Sequence, residues 1–106
     1  MRKCEARIVR GILDAEDVRT ENTELYVHAG AYRTADVYLY RSRIASVTYG
    51  RDGAVDTLSV TLAGWSTRTT WSRLRALAAG LGFVLPEKDM KDNPKVMFTA
   101  TRREHE

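Results

Sequence analysis

The chain has 106 residues, of which 43% are hydrophobic and 29% charged, and its formal net charge is +3. That length suits one domain with one core, and the composition excludes a largely disordered chain. No apolar run approaches the roughly 20 residues of a membrane span, and a single cysteine, Cys4, excludes an internal disulfide.

The first predicted element is a helix over residues 3–14, with Ile8, Val9, Ile12 and Leu13 on one face and Arg7 and Arg10 on the other. Gly11 weakens it by about 1 kcal/mol relative to alanine. The charged residues at its start (Arg2, Lys3, Glu5) lack the apolar segment of a secretion signal, so an intracellular protein is expected. Residues 14–22 read as helix end and loop. Strands are predicted over 24–28, 36–40, 43–49 and 57–62, the last with Leu58, Val60 and Leu62 facing one way and Thr57, Ser59 and Thr61 the other. Arg41 and Ser42 are placed in a tight hairpin turn although neither is glycine or asparagine. Gly50-Arg51-Asp52-Gly53 supplies a clearer reversal.

A second helix is predicted over 70–81. Trp71, Leu74, Leu77, Ala78 and Leu81 form its apolar stripe, Thr67 or Thr69 its N-cap, and Gly80 and Gly82 mark its end. Residues 86–94 read as a charged loop and 95–101 as a final edge strand. The expected fold is α+β: a single antiparallel sheet of four to five strands in the order α-β-β-β-β-α-β. Residues 1–101 form the domain and 102–106 a frayed tail.

Searching these elements for chemistry returns little. Cys4, His28 and His105 are too scattered for a metal site, no nucleophile lies beside a base, and neither glycine-rich phosphate motif is present. The expectation is a binding protein without catalytic residues, metal or cofactor. Charge is uneven: Asp56 is the sole acid between Ala54 and Pro86, while Arg68, Arg73 and Arg75 cluster there and Arg33, Arg41 and Arg43 form a second basic group. One face should carry positive potential.

The most concentrated constellation runs from Gly64 to Arg75. Free N–H groups at a helix start suit an anion, and Ser66, Thr67, Thr69 and Thr70 add hydroxyls. Arg68 and Arg73, with Arg75, Arg41 and Arg43 nearby in type, can contact phosphates, and Trp65 can stack on a base. The competing structural reading is that the threonines cap the helix and Trp65 seals a junction. Tyr26, Tyr32, Tyr38 and Tyr40 can line an outer face suited to a partner, and edge strands leave a homodimer open.

The segment Leu62-Ala63-Gly64-Trp65-Ser66-Thr67-Arg68-Thr69-Thr70-Trp71-Ser72-Arg73-Leu74 resembles a core similar to LAGW-x-T-x-TTRSRLN in a group of small bacteriophage-encoded proteins of unassigned function. The chain departs from it at Trp71, where that group has arginine, and at Arg75, where it has asparagine. The resemblance implies a phage-encoded protein, and small phage proteins often bind host machinery. The expected function is therefore stoichiometric binding to a host protein, or to a nucleoprotein defence complex, in the host cytoplasm. Direct nucleic-acid binding through the arginine- and threonine-rich segment, and capture of a small nucleotide-like ligand, stand as alternatives.

Overall fold

A computed structural model describes residues 2–103. Helix α1 (Lys3–Asp14) is followed by strands β1 (Val18–Arg19), β2 (Thr23–His28), β3 (Thr34–Leu39), β4 (Ser42–Tyr49) and β5 (Val55–Val60). Then come helix α2 (Arg68–Leu81), β6 (Phe83–Val84), helix α3 (Glu87–Asp92), β7 (Phe98–Thr99) and β8 (Thr101–Arg102). Six strands form one antiparallel sheet in the order β1-β2-β3-β4-β5-β7, and β6 and β8 form a separate two-stranded ribbon. The meander expected from alternation is present. The sheet is larger than the four to five strands anticipated, because the two-residue β1 is too short to leave a period.

Both long helices cover one face of the sheet, and their apolar stripes meet the inward residues Leu25, Val37, Val47, Leu58 and Val60, all fully buried. The anticipated stripe of α2 is buried in full, whereas Leu13 of α1 is 54% exposed. Its place on the inner face is taken by Glu5 and Gly11. The other face of the sheet is open: Tyr26 and Tyr38 meet edge to face at 5.9 Å, beside the hydroxyl pair Thr48–Thr57 at 2.6 Å.

Several expected boundaries shift. Helix α2 begins at Arg68 with Thr67 as N-cap, Thr67 Oγ1 accepting from the Thr70 N–H at 3.2 Å. Gly82, at φ +84°, caps its end, so Gly80 lies inside the helix, where a Cβ would stand 2.7 Å from Val9 Cγ1. The charged loop contains α3, held by the fully buried Met90. The single strand expected over 95–101 divides at Ala100: β7 continues the main sheet and β8 crosses to pair with β6. Arg102, assigned to a frayed tail, belongs to that second pairing. Residues 104–106, and with them His105, lie outside the described residues.

Where the short edge strands β1 and β7 end, side chains take main-chain groups of β2 and β5. Asp17 Oδ1 accepts the Val27 N–H at 2.7 Å beyond the reach of β1. One Arg102 amino group donates to the Val55 and Asp56 carbonyls at 2.8 Å each. These caps occupy main-chain groups that an edge-to-edge homodimer would use. The double substitution Asp17→Ala, Arg102→Ala is expected to lower the melting temperature by only a few degrees, since exposed single contacts are worth about 1 kcal/mol or less. It should nonetheless give concentration-dependent light scattering that the parent protein lacks. Equal scattering by both proteins would show that the caps do not guard the edges.

Candidate functional site

The sequence leads to the junction of β5 and α2, and there the structure separates the predicted residues into two groups. Arg73 belongs to the core. It is 5% exposed and its guanidinium is spent internally: Nη1 donates to Glu5 Oε2 at 2.7 Å, Nε to Thr23 Oγ1 at 3.1 Å and Nη2 to Asn22 Oδ1 at 3.3 Å. Ser72 Oγ donates to the same Glu5 oxygen at 2.6 Å, and the Arg2 N–H reaches Glu5 Oε1 at 3.2 Å. Burial pushes the Glu5 carboxyl up, but the hydrogen bonds from Ser72, Arg2 and Arg73 and the charge of Arg73 outweigh it and hold the group below its ordinary range. A phosphate role for Arg73 is therefore corrected to a structural one: it ties α2 to α1 and to the start of β2.

Arg75 is occupied too, by Glu87 of α3 at 2.8 Å, and its guanidinium lies 5.1 Å from the centre of the Trp71 ring. Lys91 approaches the same ring at 5.7 Å. Trp71, buried, donates from Nε1 to Ser66 Oγ at 3.2 Å. Arg43 points to the open face of the sheet, 3.7 Å from Asp36, which also holds His28 at 3.0 Å. Thr70 is buried against the N-cap, so the threonines do cap the helix as the structural reading expected.

The second group stays in reach of solvent. Trp65 is 62% and Tyr40 69% exposed, and the two flank a cleft of about 400 Å³. Its floor is Leu39, Ile44 and Leu62, and its sides carry the hydroxyls of Ser42, Thr67, Thr69 and Thr70. No charged side chain lines it. Two hollows more open to solvent lie beside it, of about 580 Å³ along α2 at Arg68 and Arg75 and of about 570 Å³ between Arg19 and Arg41.

Two turns shape the cleft. The β3–β4 hairpin turns at Tyr40-Arg41 rather than Arg41-Ser42, since Leu39 pairs with Ser42. Tyr40 and Arg41 have φ of +49° and +68°, and Ala63 and Gly64 of +52° and +83°. Consecutive positive φ values are those of a type I′ turn, which asparagine and glycine normally fill. Each non-glycine residue held there costs about 1–3 kcal/mol. The strain at Tyr40 is held from inside. The Tyr40 N–H donates to the Asn22 carbonyl at 2.8 Å, and Asn22 Nδ2 reaches the tyrosine hydroxyl at 3.4 Å. Asn22 is the residue that Arg73 grips, so the buried ion pair and the exposed tyrosine share one scaffold. Sequence reasoning found Trp65 and set Tyr40 among the tyrosines of an outer face, but did not bring Tyr40 to Trp65 and missed Ser42 and the aliphatic floor. The available signal was a two-residue gap between strands with no glycine in it.

Among the described residues no group of three or more His, Cys, Asp or Glu can hold a metal ion, and no helix is long and apolar enough to cross a membrane. No curated protein and no solved structure gives a significant match to the chain. Residues 1–101 match the family described as Kyanoviridae Gp96 protein, a family of phage proteins. That match spans all three helices and the cleft, and the chain belongs to the Kyanoviridae Gp96 protein family.

Proposed function

We propose that this phage protein acts by stoichiometric binding to a host protein in the host cytoplasm, with the cleft between Tyr40 and Trp65 as the contact. The observation that carries the reading is the exposure of two large aromatic side chains across an apolar floor, on turns that keep non-glycine residues at positive φ. Exposed tryptophan and tyrosine beside a pocket are the side chains that dominate interface energetics. Backbone strain that adds nothing to folding is more often found at sites of function. The phosphate-binding alternative is weaker, because Arg73 and Arg75 already have carboxylate partners.

Affinity capture from host-cell lysate with the full chain and with Trp65→Ala tests the reading. The parent protein should retain a saturable, near-stoichiometric protein that survives nuclease treatment, and Trp65→Ala should lose it while keeping its melting temperature within a few degrees. A saturable partner retained equally by both would move the contact elsewhere. Material removed by nuclease would favour nucleic acid.

A further inference from the structure

The cleft itself is neutral, but its surroundings are not. Arg41 follows Tyr40 in the strained hairpin, Arg68 stands between Thr67 and Thr69 at the start of α2, and the Lys95 side chain runs beside Gly64, next to Trp65. All three are exposed, and none makes an ion pair among the described residues, unlike Arg19, Arg43, Arg73 and Arg75. Arg41 shares a hollow with Glu21 and Glu24, of which Glu24 is already held by Tyr26 and Arg19. Unpaired cations thus lie around an apolar recess that has no acid in its lining.

Resting on the reading of the cleft as an interface, we propose that its occupant is an acidic peptide segment of the partner protein, anchored by one large apolar side chain. The aliphatic floor of Leu39, Ile44 and Leu62 takes the anchor, whose burial supplies affinity. The rings of Trp65 and Tyr40 close over its sides, and Ser42 and Thr69 offer hydroxyls to the segment's main chain. Carboxylates flanking the anchor meet Arg41, Arg68 and Lys95, which select the partner by charge and speed its approach. A nucleic-acid strand fits less well, since an aliphatic floor leaves the polar edge of a base without partners.

The test is selection of a random displayed peptide library on the full chain, in parallel with Trp65→Ala and with the double variant Arg41→Asn, Arg68→Gln. Asparagine suits the positive φ of position 41, so that change removes charge without disturbing the turn. Peptides recovered on the parent protein should carry phenylalanine, tryptophan or leucine with aspartate or glutamate beside it. Trp65→Ala should weaken the selected peptides about thirtyfold or more, as loss of a central aromatic contact does. The double variant should weaken them about tenfold at low salt and little at high salt. Trp65-dependent peptides without acidic bias would overturn the proposal and leave the cleft as an interface. Absence of any Trp65-dependent peptide would overturn both. Trp65-dependent binding of a short oligothymidine at physiological salt would assign the cleft to nucleic acid instead.

Discussion

Arg73→Ala is expected to cost about 3–5 kcal/mol at neutral pH, the range for removing one partner of a buried ion pair. In a domain of this size that corresponds to a fall in melting temperature on the order of 15 °C. The cause is less the lost attraction than the stranded partner, because Glu5 is 4% exposed and would keep only Ser72 and the Arg2 N–H. The pH dependence distinguishes this from simple loss of packing. In the parent protein the Glu5 carboxyl is held below its ordinary 4.5, so its contribution is fully present above about that pH and is lost as pH falls through the folded value. Without Arg73, burial is opposed only by the Ser72 and Arg2 hydrogen bonds, so the carboxyl moves up from its place in the parent. The folded variant then keeps its proton to higher pH than the parent does and gains less stability as pH rises. The gap between parent and variant should be widest near pH 7 and narrow towards pH 4. Urea unfolding across that range measures it, and a gap that stays constant would mean Glu5 does not titrate as described. Arg73→Ala therefore tests the fold, and a loss of binding in that variant would say little about the cleft.

Gly80→Ala and Gly11→Ala are each expected to destabilise by about 1–3 kcal/mol, although alanine in a helix interior normally gains about 1 kcal/mol over glycine. At Gly80 the added methyl would stand 2.7 and 2.9 Å from the two γ-carbons of Val9, so the helices would have to separate. At Gly11 it would stand 2.5 Å from Val18 Cγ2, 2.8 Å from Leu25 Cδ2 and 3.0 Å from the Glu16 carbonyl, which lifts α1 off the sheet. Urea midpoints should fall with little change in slope. Combining Gly80→Ala with Val9→Ala should cost less than the sum of the two, because the second change vacates the space the first requires. A rise in stability for Gly80→Ala alone would show that the helices do not approach so closely.

These two cases mark where sequence reasoning stops. Gly80 reads as a helix end and Gly11 as a weak spot, since propensity is local and both glycines answer to residues on other elements. Arg73 reads as a surface cation for the same reason: arginine is rarely buried, and its carboxylate partner lies 68 positions away. What depends on periodicity was legible. The bounds of α1, the stripe of α2 and the inward faces of β3 and β5 follow from spacing alone. Half of the site was legible as well. Trp65, Arg68 and the threonines stand out by composition, whereas Tyr40 joins them only through a hairpin that turns one residue earlier than its sequence suggests. The inward turn of Ile44, which completes the floor, comes from an irregularity in the β3–β4 register that no pattern announced.

The link between Glu5 and Arg73 also bears on how the chain is made. Helix α1 leaves the ribosome before α2, since the guanidinium that neutralises Glu5 is synthesised 68 residues later, and Gly80, which receives Val9, later still. At about 5–20 residues per second, α1 waits on the order of several seconds with its apolar face uncovered. The meander can form in that interval, since each of its strands pairs with the one just made. Helix α1 is then among the last elements to be seated, and the nascent chain presents an amphipathic segment that other proteins in the cell can meet before α2 does.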